Sequence, residues 1–149
     1  MITFFVAGRP APQGSKRYVG GNRASGGRFI EASKYLPAWR SAVTDVALAY
    51  MGEQFLAPLE GPVELHVAFY LERPPSVSRT KRPEPVVPPD VDKLCRAVCD
   101  ALSDGFVWMD DSQVVRLHAS KHYADDRDIG AHITVKALDT PDDNFDLNI

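Results

Sequence analysis

The sequence predicts an α/β (α+β) fold, a single domain in which a mixed β-sheet is covered by two main helices. Three observations predict it. The 149 residues suit one hydrophobic core, because two domains of half this length would each bury too little surface. The composition, 44% hydrophobic and 25% charged, is that of an ordinary globular protein. Strand-like and helix-like segments alternate along most of the chain, and further strand-like segments follow them.

The first half of the chain divides into a strand, a loop, a helix and a second strand. Ile2–Ala7 is apolar and β-prone, which predicts the first strand. Residues 8–27 hold six of the ten glycines and predict a basic loop. Residues 33–51 carry apolar side chains at a spacing of three to four, which predicts a helix. Val63–Leu71 alternates between apolar and polar residues and predicts a half-buried strand.

The second half begins with a loop and ends in strands. Residues 73–89 hold six prolines and predict a basic loop without a hydrophobic core of its own. Residues 91–103 predict the second helix, with an apolar stripe at helical spacing. Residues 106–109 predict a short apolar strand or turn, and residues 113–123 and 129–138 predict the last two strands. We therefore expect the domain to span residues 1–138 and a flexible acidic tail to span residues 139–149.

Charge is distributed unevenly. Residues 9–40 hold seven bases and one acid, whereas residues 90–111 hold six acids against Lys93 and Arg96. A basic arm and a compact acidic cluster suggest a polyanionic partner and a metal or acid–base site. The alternative is that both are ordinary solvated surface.

Several classes of protein are not indicated. The apolar N-terminal run has no charged region before it, and every apolar stretch is too short to span a bilayer. We therefore expect a cytoplasmic protein without a membrane partner. No phosphate-cradling glycine motif occurs, so no nucleotide cofactor is expected. The four histidines do not predict a zinc site, since no acid or cysteine stands beside them at a convincing ligand spacing.

The acidic cluster is the most informative segment. Asp90 and Asp92 enter the second predicted helix directly after a proline-fixed extended segment, so both carboxylates can converge. A second pair, Asp110 and Asp111, ends the short apolar segment. Crowded carboxylates repel each other, and Mg²⁺ relieves that repulsion with oxygen ligands. The alternative is helix capping, which explains Asp90 or Asp92 but does not explain four carboxylates.

Arg96 also has two interpretations. It lies one helical turn beyond Asp92 and could neutralise a phosphate or stabilise charge developing in a transition state. It could equally belong to a surface ladder of ion pairs with Asp92 and Asp100, at successive spacings of four.

These motifs identify a family resemblance. The chain resembles the RusA family of Holliday junction resolvases, whose pattern it matches at Pro89, Asp90 and Asp92, at Asp100-Ala101-Leu102, and at Asp110-Asp111-Ser112-Gln113-Val114. The match is dense over about 25 residues and extends more loosely to the N-terminal basic loop and to Lys121. Two positions depart from the pattern: Arg96 stands at the family lysine, and Lys93 at the family asparagine.

The resemblance implies a RusA-like fold and a homodimer that cuts two opposed strands of a four-way DNA junction, with Mg²⁺ as cofactor and Mn²⁺ as a possible substitute. It implies that Asp90, Asp92 and Asp111 are catalytic metal ligands and that Lys93 or Arg96 steadies the scissile phosphate. Asp110, beside Asp111, is expected to bind the metal as well. Arginine and lysine are not interchangeable, so the role falls to Arg96 if a fixed positive charge suffices and to Lys93 if the flexible ammonium of a lysine is needed. The DNA backbone would be followed by the basic residues Lys16, Arg17, Arg23, Arg28, Arg79, Lys81, Arg82 and Lys121.

Two alternatives to junction cleavage remain at this point. The chain could be a non-catalytic DNA-binding or assembly module of a phage, with its acids serving as helix caps. It could also be a metal-dependent nuclease that acts on other branched DNA.

Overall fold

The structure, a computed structural model, describes residues 1–14 and 34–138. The expected DNA-binding residues Lys16, Arg17, Arg23 and Arg28 and the acidic tail lie outside the described residues. The elements are β1 (Ile2–Ala7), α1 (Leu36–Glu53), β2 (Val63–Leu71), α2 (Val91–Asp104), a short 3₁₀ turn (Asp111–Gln113), β3 (Val114–Tyr123) and β4 (Gly130–Ala137). The predicted α+β fold, with a mixed sheet and two main helices, is confirmed.

The four strands form one mixed sheet in the order β1-β4-β2-β3. β4 pairs antiparallel with both β1 and β2, whereas β2 and β3 are parallel. A parallel pair needs a crossover connection, and the chain between β2 and β3 supplies it with the proline-rich loop and α2. The segments that carry the acidic residues are therefore fixed between two neighbouring strands.

Both helices lie on one face of the sheet. β2 alternates as predicted, since Val63, Leu65, Val67 and Phe69 are almost fully buried while the residues between them are half-buried. Trp39 of α1 and Leu94 of α2 belong to the same core. A buried Cβ at Gly105 would lie 2.7 Å from the Ala47 Cβ, so the glycine permits the close contact at the end of α2.

β3 differs from the prediction of an alternating strand. It is an edge strand, and residues from Val115 to Ser120 are exposed on both of its faces. Val115 and Leu117 keep 59% and 49% of their surface accessible. The alternating sequence of β3 is therefore not matched by alternating burial, and the strand is open to solvent on both faces over this stretch.

Candidate active site: an acidic row along α2

The N-terminus of α2 presents two carboxylates. Asp90 is the N-cap residue by position, with an extended backbone, yet its side chain makes no capping hydrogen bond. Its carboxylate instead lies 3.4 Å from the Lys93 Nζ, and both side chains are about half exposed. Asp92 follows in the first turn and is exposed. The capping interpretation therefore does not account for Asp90, which is available to a ligand.

Lys121 supports the segment that leads into Asp90. Its Nζ donates to the carbonyls of Val87 and Pro89, both at 2.8 Å. The described N-terminal segment also reaches this point, since the Gln13 backbone N–H donates to the Lys93 carbonyl at 3.0 Å. The half-buried Lys121 ammonium is thus engaged by backbone carbonyls beside the predicted site rather than directed into solvent.

Asp111 lies at the other end of α2. Its Oδ1 accepts a hydrogen bond from the Trp108 Nε1 at 3.1 Å and one from the Ser103 hydroxyl. Trp108 is fully buried, and it anchors the carboxylate to the hydrophobic core. Asp111 is therefore held rigidly against the last turn of α2.

Asp100 is a further candidate site residue. From the sequence alone, it is identified only as a member of the ion-pair ladder and of the family pattern. Its carboxyl group, on α2, lies near that of Asp111 and interacts with it. Burial, followed by the neighbouring Asp111 carboxyl group, raises the pKa of Asp100, while the charges of Arg40 and Arg96 oppose the shift. Two neighbouring carboxyl groups share a proton or bind a cation, because both cannot comfortably ionise alone. The Asp100-Ala101-Leu102 match was the sequence signal that could have identified it.

Asp110 has a different environment from its neighbour. Its carboxylate accepts hydrogen bonds from the Ser112 backbone N–H at 3.0 Å and from the Ser112 hydroxyl, and these bonds lower its pKa. The Gln113 side chain accepts in return from the Asp110 backbone N–H at 3.0 Å. This capping box fixes the 3₁₀ turn. Asp110 is thus a capping residue. Asp111 takes no part in the capping box and instead contacts α2.

We call Asp90, Asp92, Asp100 and Asp111 the acidic row. Eight residues of helix separate Asp92 from Asp100, a rise of about 12 Å. Within the described part of the chain, the carboxylates of the row do not form a group of three ligand atoms within 4.8 Å of one another. The row therefore has two ends: Asp90 with Asp92, and Asp100 with Asp111.

Cys95 and Cys99 lie along α2 between the two ends of the row. Burial, with the charge of Asp92, raises the pKa of Cys95 to about 11. Burial, with Asp111 as the next cause, raises the pKa of Cys99 to about 12. Both are free thiols that stay protonated at neutral pH and behave as small apolar residues.

Cationic side chains accompany the row. Lys93 and Arg96 are exposed on α2. Arg96 lies within 4 Å of no carboxylate among the described residues. The ion pairs with Asp92 and Asp100 that the alternative interpretation of Arg96 requires are therefore not formed. Lys93 pairs with Asp90 as described above.

Arg73 organises the proline-rich loop. Its guanidinium donates to the carbonyls of Ser78, Arg82 and Pro83, and it pairs with Asp125 at 2.8 Å. It also lies 4.1 Å from the centre of the Tyr123 ring. The loop therefore has a polar anchor in place of a core.

The predicted DNA-binding residues of this loop differ in their contacts. Arg79 is 59% exposed and pairs with Asp126 at 3.2 Å, and Lys81 is exposed. Arg82 is half-buried, and its Nη1 lies 3.5 Å from the Tyr123 hydroxyl. Arg79 and Lys81 thus present their charge to solvent on the surface of the loop.

An α+β domain with exposed carboxylates, a carboxyl pair and adjacent Lys and Arg side chains has the chemistry of an enzyme that acts on phosphate esters through a divalent cation. Comparison with known proteins identifies the family. The family model of endodeoxyribonuclease RusA matches residues 7–136, which include the whole acidic row. The chain belongs to the RusA endodeoxyribonuclease family, whose nucleases depend on divalent metal ions.

One curated relative matches most of the chain. It is the uncharacterized protein YqaN of Bacillus subtilis strain 168, which is 34% identical over 134 residues. The match covers 84% of this chain and 89% of the relative. The similarity therefore extends over nearly the full length of both proteins. Neither helix of the described chain is long and apolar enough to cross a bilayer.

Proposed function

We propose that this chain is a Mg²⁺-dependent endonuclease that resolves Holliday junctions by paired strand cleavage, in DNA recombination and repair. Mn²⁺ would substitute for Mg²⁺. The observation that carries the proposal is the acidic row, with its exposed Asp90 and its neighbouring carboxyl groups Asp100 and Asp111, inside the region matched by the family model. We assign the activity to the cytoplasm of a bacterial or phage-infected cell.

The donor set fits a hard divalent cation. Mg²⁺ takes oxygen ligands, and it usually uses one or two carboxylates with water and substrate phosphate. Asp90 and Asp92 would hold it at the start of α2, and Asp111 with Asp100 offers a second pair of oxygens. When bound, the metal would lower the pKa of a water nucleophile and stabilise the leaving oxygen. Asp111 is proposed in preference to Asp110, whose carboxylate is occupied by the 3₁₀ turn.

The protein's own side chains would bind and orient the DNA. Arg96 has no carboxylate within 4 Å among the described residues, so its guanidinium is free to contact the scissile phosphate. Lys93 can move from Asp90 to a phosphate when the carboxylate engages a cation. Arg79 and Lys81 would follow the DNA backbone, together with the basic residues of the segment 15–33.

A four-way junction has two-fold symmetry, whereas one chain offers one acidic row. Paired cuts on opposed strands therefore require two copies, and we propose a symmetric homodimer. Light scattering coupled to size-exclusion chromatography measures this directly. A chain that stays monomeric with and without junction DNA would contradict it.

The central experiment compares two neighbouring aspartates. A synthetic mobile four-way junction is incubated with wild type, Asp111→Asn and Asp110→Asn, with Mg²⁺ and with EDTA. Asp111→Asn should abolish cleavage and keep junction binding, because it removes a ligand charge and leaves the basic residues intact. Asp110→Asn should cleave, since asparagine is also a good capping residue.

Three outcomes would contradict the proposal. Cleavage in EDTA would exclude metal dependence, and full cleavage by Asp111→Asn would remove that residue from the site. Equal cleavage of flaps and forks would favour a general branched-DNA nuclease. Junction binding by wild type without cleavage in Mg²⁺ or Mn²⁺ would favour a non-catalytic DNA-binding module.

A further inference from the structure

A second cluster of metal-binding side chains lies on the sheet face opposite the helices. The buried residues of β2 face α1 and α2, so Glu64 and His66 point to the other side. The strand register sets His118 of β3 directly beside His66. The acidic row belongs to the helical side, and the two clusters are therefore separated by the sheet.

The geometry of this cluster is compact. The Glu64 Oε2 lies 2.5 Å from the His66 Nε2, which donates to it. The His66 and His118 rings are stacked, with centroids 4.4 Å apart and planes 13° from parallel. One ligand atom from each of the three residues lies within 4.8 Å of the others. Among the described residues, no other group of three histidine, cysteine or acidic side chains meets this condition.

We propose that Glu64, His66 and His118 bind a divalent transition metal ion of the Zn²⁺ type. Two imidazoles and one carboxylate are a common set of protein ligands for Zn²⁺, with a water in the fourth position. Metal–ligand bonds of about 2.1 Å in a tetrahedron separate neighbouring ligand atoms by roughly 3.4 Å. The Glu64–His66 contact is shorter than this spacing and the two rings are stacked, so binding of the ion requires Glu64 and His66 to separate and the exposed His118 ring to rotate.

The surroundings leave room for the ion and its water. The two histidines line an open depression of about 270 Å³, which is also lined by Ser120 and His132. The carboxylate is already arranged for a cation, because the hydrogen bond from His66, with the charges of His66, His118 and Lys136, lowers the pKa of Glu64. A bound metal would replace the proton that Glu64 and His66 now share.

Ligand chemistry separates this site from the acidic row. Imidazole nitrogen suits Zn²⁺ and other late first-row ions, whereas Mg²⁺ prefers an all-oxygen set. The proposed site should therefore bind Zn²⁺ in the presence of excess Mg²⁺. Two cations oppose binding: Arg116 lies 3.6 Å from the Glu64 Oε1, and Lys136 acts on the same carboxylate. Removal of Arg116 should consequently tighten the site.

Calorimetric titration with Zn²⁺ in Mg²⁺ buffer tests the proposal on the full chain. His118→Ala should weaken Zn²⁺ binding by about tenfold or more, the scale on which even supporting residues affect metal affinity. His122→Ala is the matched control, because His122 lies on the same strand and pairs with Glu84 instead. Arg116→Ala should strengthen binding, and Asp111→Asn should leave it unchanged.

The outcomes separate a metal site from an ordinary surface ion pair. Stoichiometric binding by wild type that is lost in His118→Ala and kept in His122→Ala supports the site. Absence of binding by wild type would overturn it, as would equal affinity in the two histidine variants. Loss of binding in Asp111→Asn would assign the zinc to the acidic row instead. Arg116 and His118 are exposed, whereas Asp111 and His122 are half-buried, and circular dichroism spectra check that each variant keeps its fold.

Discussion

Replacement of Lys121 by methionine distinguishes two roles for this residue. The family resemblance predicts a contact to DNA, whereas in the structure its ammonium donates two hydrogen bonds of 2.8 Å to the carbonyls of Val87 and Pro89. Methionine preserves the length and packing of the side chain and removes both bonds. If the structural role is the main one, Lys121→Met will destabilise the fold and loosen the segment that positions Asp90.

The magnitude follows from the two bonds. A hydrogen bond from a charged donor contributes roughly 1.5–3 kcal/mol, and water can replace part of this at a half-buried site, so we expect a loss of about 2 kcal/mol in unfolding free energy. For a chain of this length, that corresponds to a fall in Tm of about 4–8 °C. The cleavage rate should fall as well, since Asp90 follows directly after Pro89.

The DNA contact predicts a different pattern. Removal of one phosphate contact lowers the slope of log affinity against log salt by about 0.9 for duplex DNA. We expect no such change in Lys121→Met, measured by fluorescence anisotropy of a labelled junction without divalent metal. Lys81→Met is the matched control, because Lys81 is exposed and its loss should reduce the slope without lowering Tm. A reduced slope in Lys121→Met at unchanged Tm would refute the structural role.

Three further predictions concern other parts of the chain. Arg96→Ala should lower single-turnover cleavage on the order of 10²-fold, the loss expected for one transition-state donor, while Arg96→Lys keeps most activity; near-wild-type cleavage by Arg96→Ala would remove it from the site. The Arg73 hydrogen bond lowers the pKa of Asp125, so this pair stabilises the fold above the unfolded-state pKa of about 3.9 and ceases to do so as the pH falls through the folded-state value. The Tm difference between wild type and Asp125→Asn should therefore shrink between about pH 5 and pH 2, and a constant difference would contradict this. Cys95 and Cys99, with raised pKa values, should react with a thiol reagent at neutral pH only when the protein unfolds, and fast labelling of the folded chain would contradict their burial.

Much of the fold could be predicted from local patterns. The bounds of β1 and β2 were predicted to the residue, because a run of β-prone residues and a strict alternation are visible in sequence. The exposed surface of β3 could not be predicted in the same way. Its sequence alternates, but its position at the sheet edge depends on which strands pair, and pairing is a property of the whole chain.

In the candidate site, too, the residues could be predicted from the sequence, whereas their contacts depend on the tertiary structure. The acidic residues were visible as a motif, yet sequence spacing could not distinguish Asp110, which caps a turn, from Asp111, which contacts α2. The proximity of Asp100 to Asp111 depends on how the 3₁₀ turn folds back onto the helix. The pairing of His66 with His118 likewise arises from the register of two parallel strands that are distant in sequence.

The strand order has a consequence for folding. β4 is the last strand in the chain, yet it lies between β1 and β2 and pairs with both of them. β1 therefore has no partner in the sheet until β4 is in place. Ile2, for example, pairs with Val135, which lies near the end of the described chain. Contacts of such long sequence separation slow folding, because a large loop must close before any of them forms. We expect β1 to join the sheet in a late step, and a chain shortened before β4 to remain without a stable fold.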